Sequence, residues 1–403
     1  MTNRVLGIIT SLLILLSLLF VARSALSGGE TAGRDDLAGP LLVWHSWMDE
    51  RAEALSQAKT KFEEMYPGVQ VLLVGYPQEE LYAHYVAATA NGFGPDLLIA
   101  PSEWLPGLLA GGLVSAVEPE IVGETSNWFE EEIKRTVRSQ DQIYAIPFSL
   151  STWVFYYNKA AITRPATTLD ELLVEAGEGA GVGIGSSFAS ALWGIGASGG
   201  RLYDDKGEVV IDIDGLTNWL TWLRNAQNKT SFVMSTNQEG LRQLFVRGEL
   251  EYLVDESTGL SSLSAAMPSN ALGVRPLPSG PGGSATPLLR TEALFFSPVS
   301  SARQHKAASI LALFLAGKEQ QTLLMRRAGL VPAHREVRVN SRLNPEIYAF
   351  VTQSRMALPW TNNPLLVWLL KAGDETYVQV LEGVLSPAEA AAELSKKLDE
   401  QAQ

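Results

Sequence analysis

The sequence predicts an α/β protein with a largely parallel sheet, because apolar strands alternate with amphipathic helices over its first hundred residues. Strand patterns cover 69–74 and 97–100, and an earlier one runs from 41 into a polar, aromatic turn at 47. Helix patterns cover 51–66 and 81–90. Such alternation is typical of parallel strands joined by right-handed crossovers.

The first helix is predicted by its apolar spacing and by its end. Apolar side chains recur at helical intervals, at Ala54, Leu55, Ala58, Phe62 and Met65. Pro67 and Gly68 then stop the helix. The strand that follows returns the chain to the sheet.

The segment 91–104 carries the strongest indication of a ligand site in this half of the chain. Gly92, Gly94 and Pro95 mark a turn, and a short buried strand leads to Glu103 and Trp104. Open α/β sheets bind ligands just beyond the carboxyl ends of their strands. A carboxylate accepts hydrogen bonds from hydroxyls, and an aromatic face covers a sugar ring. The segment alone fits a surface loop capped by a tryptophan equally well.

Composition limits the classes of function. With 403 residues the chain is long enough for two domains, and 46% hydrophobic with 19% charged residues indicates a globular protein. A net charge of −13 disfavours nucleic acid and anionic lipid as partners. The sequence shows no nucleotide-binding or serine-hydrolase motif, and its four scattered histidines do not have metal-ligand spacing. We therefore expect no cofactor and no metal.

The N-terminal residues 1–40 are expected to direct the protein out of the cytoplasm. A short basic start precedes 18 uncharged residues at 5–22, long enough to span about 27 Å as a helix. This length favours an uncleaved anchor over a cleaved signal, although small residues at 25–27 offer a cleavage site. The chain has no cysteine, so a lipid anchor on an N-terminal cysteine is excluded. The Gly- and Ser-containing stretch before Pro40 is predicted to be a flexible tether.

From residue 40 to about 395 the chain resembles the extracellular carbohydrate-binding proteins of ABC importers, the group that includes maltose-binding protein. The resemblance lies in the order and spacing of several short segments, namely Gly94-Pro95-Asp96, Tyr144-Ala145-Ile146-Pro147, Tyr157-Asn158-Lys159 and Gly329-Leu330-Val331-Pro332. It implies two α/β lobes with a hinge and a cleft between them. The first lobe would comprise 41–145 and 288–331, including a helix over 303–325, and the second 146–287 and 332–395.

The resemblance also implies a binding protein rather than an enzyme, a monomer that captures a sugar and passes it to a membrane permease. The ligand contacts implied in the first lobe are Trp47, Asp49, Glu103 and Trp104. Those implied in the second lobe, or on the late helix and the loop before it, are Phe188, Trp193, Trp360 and Trp368.

The sequence departs from the family pattern at several expected cleft positions. Glu256 adds a carboxylate, and Thr258 stands where a stacking aromatic is common. Thr291 and Glu292 replace a common pair of glycines, and Ser151 replaces an acid found in maltose binders. We therefore expect a sugar other than maltose. A polyamine, a glycerol phosphate ester or a peptide is the alternative ligand, and a glycosidase is the alternative class of protein.

Overall fold

The computed structural model describes residues 37–268 and 270–402, and only the backbone of Asp49. The predicted anchor or signal and most of the tether lie outside these residues. Within them, no helix combines the length and apolar character that a bilayer crossing requires.

The first sheet contains the run of elements predicted from the N-terminal half. Its strands are β1 (Gly39–His45), β2 (Val69–Gly75), β3 (Leu97–Pro101), β6 (Ala145–Ser151), β12 (Leu288–Phe296) and β13 (Leu358–Pro359). β1 lies between β2 and β3 and is parallel to both. β12 runs antiparallel to β3 and β6. The predicted strand–helix–strand–helix–strand order and its parallel pairing are confirmed.

The second sheet is built from the middle of the chain. Its strands are β7 (Trp153–Asn158), β8 (Val182–Gly185), β9 (Phe232–Ser235), β10 (Tyr252–Glu256) and β11 (Leu272–Arg275), in the order β11-β7-β10-β8-β9. β8, β9 and β10 are parallel, whereas β7 is antiparallel to both of its neighbours. A separate short hairpin consists of β4 (Arg138–Ser139) and β5 (Gln142–Ile143).

Helices cover the two sheets. Those before β7 are α1 (Asp49–Met65), α2 (Gln78–Ala90), α3 (Leu105–Ala110), α4 (Pro119–Thr125) and α5 (Glu131–Arg135). Those between β7 and β12 are α6 (Leu169–Gly177), α7 (Phe188–Ala191), α8 (Gly194–Ala197), α9 (Ile213–Gln227), α10 (Gln238–Val246) and α11 (Leu260–Ala266). The last are α12 (Ala302–Ala316), α13 (Lys318–Ala328), α14 (Pro345–Ser354), α15 (Pro364–Leu381) and α16 (Pro387–Gln401).

The single helix expected over 303–325 is two helices, so that prediction was wrong in detail. Gly317 has an extended backbone, with φ −66° and ψ 150°, and it separates α12 from α13. The first of the two begins with a capping box between Ser301 and Gln304. The second ends at Gly329, whose left-handed φ of 64° suits a glycine.

A single residue, Thr152, joins the two sheets between β6 and β7. It is 1% exposed, and its hydroxyl donates to the Leu288 carbonyl at 3.1 Å. Its own carbonyl accepts from the Ser257 N–H at 2.9 Å. Apolar packing is continuous across this junction, because Ile146 of β6 and Val154 of β7 belong to the same core. The junction is therefore tightly packed.

Candidate functional site

A cavity of about 380 Å³ lies between the two sheets, close to their junction. The first sheet contributes residues that follow β1 and β3 and residues within β6 and β12, and the second contributes the end of β10. The lining residues discussed below are Trp47, Arg51, Glu103, Ser151, Glu256, Thr258, Arg290, Thr291 and Glu292. This is the crevice beyond strand ends where open α/β sheets bind ligands.

Strand alternation explains why β12 is central to the cavity. Successive side chains of a strand point to opposite faces, so Arg290 and Glu292 share one face. Thr291 points the other way, and its hydroxyl lies 2.8 Å from that of Thr136. Two charged residues of one buried strand therefore line the cavity.

Arg290 bridges carboxylates from both sheets. One terminal nitrogen donates to Glu103, which follows β3, at 3.0 Å, and the other donates to Glu256 at the end of β10. The three side chains are 23%, 17% and 23% exposed, so water screens the pairs only partly. Burial raises the pKa of Glu103, and Arg290 opposes that rise. Burial alone would lower the pKa of Arg290, but the Glu256 and Glu103 carboxylates raise it.

Glu292 is held by a tryptophan at the neighbouring wall. The Trp47 indole N–H donates to its carboxylate. The Trp47 ring is stacked on Phe148, with ring centroids 5.2 Å apart, and Trp47 is only 3% exposed. Phe148 lies where the β6–β12 pairing shifts register beside Glu292, and such a bulge redirects a side chain. Burial raises the pKa of Glu292, while Arg51 and the Trp47 hydrogen bond lower it.

We expect Glu292→Gln to stabilise the protein at alkaline pH and to leave it unchanged at acidic pH. Because burial raises the folded-state pKa, the folded protein holds this proton more tightly than the unfolded chain does. The wild type therefore loses stability as pH rises from the unfolded pKa towards the folded one. Glutamine never ionises, so its gain should grow over that window to on the order of 1 kcal/mol. Urea denaturation at pH 4 and pH 8 measures it.

Glu249→Gln provides the control, since Glu249 is 54% exposed and pairs only with Arg247 among the described residues. It should show no comparable pH trend. A Glu292→Gln gain that is the same at both pH values would contradict the pKa argument.

Five residues predicted from the sequence line the cavity: Trp47, Glu103, Glu256, Thr291 and Glu292. Asp49 begins α1 next to the cavity, but its side chain is outside the described part of the structure. The others do not line it. Trp104 packs edge-on against Tyr82 at 4.9 Å, and Trp360 and Trp368 are partly buried against the core of the second sheet.

The structure corrects the predictions for Phe188 and Trp193, which are fully buried in the core of the second lobe. The Phe188 ring covers Gly373 of α15, where an added Cβ would lie 2.4 Å from Phe188 Cγ. Trp193 packs against Trp219 with ring centroids 4.8 Å apart. These aromatic rings fill space between helices, so they have no face left for a ligand.

Sequence reasoning missed two arginines of the cavity, Arg290 and Arg51. Arg290 was detectable, because Arg290 and Glu292 are charged residues two apart in a strand whose other residues, apart from Thr291, are apolar. Charged groups in such a strand need partners or a cavity. Arg51 was also detectable as a cation in the first turn of α1, where the helix dipole disfavours positive charge.

Comparison with known proteins gives the family. The family model for bacterial extracellular solute-binding protein matches residues 57–346. A maltotriose-binding protein from Pyrococcus abyssi is 28% identical over 180 residues, which are 42% of this chain and 39% of the relative. The alignment thus spans about two fifths of the length of that curated relative.

Solved structures share the fold. A cyclo/maltodextrin-binding protein complexed with maltotetraose superposes with a TM-score of 0.77 at 19% identity, covering 93% of this chain and 99% of that one. The GacH receptor of Streptomyces glaucescens, also solved in complex with acarbose, gives 0.77 at 19% identity, covering 90% and 98%. The predicted two-lobe α/β architecture is confirmed by these neighbours. With its family model matched over most of the folded region, the chain belongs to the bacterial extracellular solute-binding proteins.

Proposed function

We propose that this solute-binding protein captures a sugar or oligosaccharide in the cavity between its lobes and delivers it to the permease of an ABC importer. One observation carries the proposal: carboxylates from both sheets meet at one guanidinium group inside the cavity. A carboxylate has about four acceptor sites, so each can bind Arg290 and still accept a sugar hydroxyl. Ligand hydroxyls would then connect the lobes.

The relatives and the architecture support this reading. The relative from Pyrococcus abyssi binds maltotriose by name, and one structural neighbour was solved with maltotetraose. We propose the two lobes expected from the sequence, 41–145 with 288–331 and 146–287 with 332–395, with two changes. Because β6 and β13 pair with β12 in the first sheet, residues 146–151 and 358–359 belong with the first lobe, and the first crossing lies at Thr152. The protein acts outside the cytoplasm, as its family does. We further propose a monomer that residues 1–40 attach to the membrane.

The energies are sufficient for transport affinities. Neutral hydrogen bonds contribute about 0.5–1.5 kcal/mol net, and those to charged groups about 1.5–3 kcal/mol. Micromolar binding requires about 8 kcal/mol. Several ligand hydroxyls donating to Glu103, Glu256 and Glu292 would supply this binding energy, after subtraction of the cost of ordering the ligand.

Glu103→Gln tests the proposal. A thermal-shift screen of mono- and oligosaccharides would first identify the ligand, since a ligand at one hundred times its Kd stabilises by about 2.7 kcal/mol. We expect the variant to bind that ligand about tenfold or more weakly, because a charged acceptor worth about 1.5–3 kcal/mol becomes neutral. Titration calorimetry measures the change, and circular dichroism checks folding. Glu336→Gln, at an exposed ion pair with Lys318, is the matched control. Equal affinities of Glu103→Gln and wild type would remove Glu103 from the site.

A polyamine is the second candidate, because the cavity lining holds three glutamates and two arginines. The lining therefore has one more carboxylate than arginines, which disfavours an anionic glycerol phosphate ester. A ligand cation would be favoured if it displaced Arg290 from Glu103 or Glu256. Spermidine and glycerol 3-phosphate belong in the same screen. Stabilisation by spermidine alone would replace the sugar proposal.

A further inference from the structure

We infer that the cavity selects a short, hydroxyl-rich saccharide of one or two rings, held by charged hydrogen bonds rather than by stacked aromatic faces. The inference rests on the proposed function and names its substrate class. It sets this chain apart from relatives named for binding maltotriose or solved with maltotetraose.

The lining of the cavity offers almost no aromatic surface. Among the described residues that line it, Trp47 is the sole aromatic side chain. Trp47 is 3% exposed, with one ring face stacked on Phe148 and its N–H directed at Glu292. A sugar ring stacks on an exposed aromatic face, and this tryptophan has none to present.

The other aromatic residues predicted as ligand contacts have packing roles, and Trp360 and Trp368 pack partly buried against the core of the second sheet. Phe188 and Trp193 are fully buried, and Trp104 packs on Tyr82. At the end of β10, the cavity is bordered by the exposed Thr258. A linear glucan would extend from the charged centre past such positions and gain little from each further ring.

The polar groups are instead concentrated around Arg290. Glu103 and Glu256 bind it directly, and Glu292 projects from the same face of β12. Ser151 is opposite Arg290 in the strand pairing, and its hydroxyl is buried without a hydrogen-bond partner among the described residues. All these groups surround a volume of about 380 Å³, near the lower end of the usual 300–1,000 Å³ of small-molecule sites. They can saturate the hydroxyls of one or two rings.

A length series on the full chain tests the inference. Calorimetry would use α-1,4-linked glucose, β-1,4-linked glucose and β-1,4-linked mannose of one to five rings, with sucrose and trehalose. We expect affinity in the binding series to stop rising at two rings, so that longer chains bind within threefold of the disaccharide. A rise of tenfold or more between the disaccharide and the tetrasaccharide overturns the inference but leaves the proposed function standing. If no saccharide binds, the proposed function fails as well.

Adding an aromatic face provides the second arm. We expect Thr258→Trp to raise affinity for the tri- and tetrasaccharide at least threefold more than for the disaccharide. Thr221→Trp, on the exposed side of α9, should leave the length profile unchanged. The contrary result is a wild-type affinity that already rises with saccharide length and that Thr258→Trp does not change. It would show that the cleft already has an aromatic stacking surface, and it would overturn the inference.

Discussion

Arg290→Met is expected to reduce ligand affinity at least a hundredfold and to lower the free energy of unfolding by about 3 kcal/mol. Removing one partner from a buried ionic cluster leaves uncompensated charge, which typically costs about 3–5 kcal/mol. The partial exposure of Arg290, at 23%, places the expected loss at the lower end. Glu103 and Glu256 would then repel each other across the cleft, so the closed form would suffer more than the open one.

The pH dependence of this loss identifies its cause. Burial already raises the pKa of Glu103, and without the guanidinium that pKa should rise further. A raised carboxylate pKa gives stability that is lost as pH increases, so the deficit of Arg290→Met should be larger at pH 8 than at pH 5. Guanidinium denaturation and calorimetry at both pH values measure the two effects.

Two further variants complete the comparison. Arg247→Met removes an exposed arginine paired with Glu249 and should change neither property by more than a few tenths of a kcal/mol. Arg290→Lys keeps the positive charge, but its single ammonium nitrogen cannot bind two carboxylates as the planar guanidinium does. Compared with Arg290→Met, it should therefore restore stability more than ligand affinity. A deficit of Arg290→Met that is equal at both pH values would indicate lost packing instead of unpaired charge.

Phe188→Ala is expected to cost about 3–5 kcal/mol of stability while leaving the affinity of the folded protein within twofold of wild type. Truncating a fully buried phenylalanine removes transfer energy and leaves a cavity. Here the ring covers Gly373 and meets Tyr377 edge-on at 5.4 Å, so two helices would lose their contact surface. Urea denaturation gives the first quantity, and calorimetry below the unfolding transition gives the second.

Phe188→Leu serves as the matched control, because it retains most of the volume and should cost about 1–1.5 kcal/mol. The contrary result is a Phe188→Ala protein of nearly wild-type stability that binds its sugar tenfold more weakly. That outcome would return Phe188 to the ligand site.

Local patterns predicted the first parallel strands and helices, whereas the two-lobe arrangement came from the resemblance to the family, and neither gave the second lobe's side-chain geometry. The alternation over 41–100 identified β1 to β3 and both intervening helices, because periodicity and turn residues determine such elements locally. The break at Gly317 escaped notice, because apolar residues recur on both sides of it. Phe188 and Trp193 were misplaced for a different reason: an aromatic residue beside a turn has the same local sequence whether it faces a cleft or a helix.

Site residues could be predicted where a charged side chain stands at the end of a strand. They could not be predicted where the contact depends on how distant strands pair. Glu103 follows β3 and Glu256 ends β10, so both could be placed near the cleft from the sequence and its resemblance to the family. That one arginine holds both depends on β12 being antiparallel to β3 and close to β10, a contact across more than thirty residues of chain. Non-local pairing of this kind leaves no periodic trace in the sequence.

The one-residue link at Thr152 bears on how often the cleft opens without ligand. Any rotation of one sheet against the other would have to turn the torsions beside this residue, whose carbonyl accepts from the N–H of Ser257, between cavity residues Glu256 and Thr258. A neutral hydrogen bond of this type is worth about 1 kcal/mol net. Loss of this one bond would therefore change the ratio of open to closed forms by about fivefold. A ligand that prefers the closed form by about 5.5 kcal/mol would convert a population 99% open into one 99% closed.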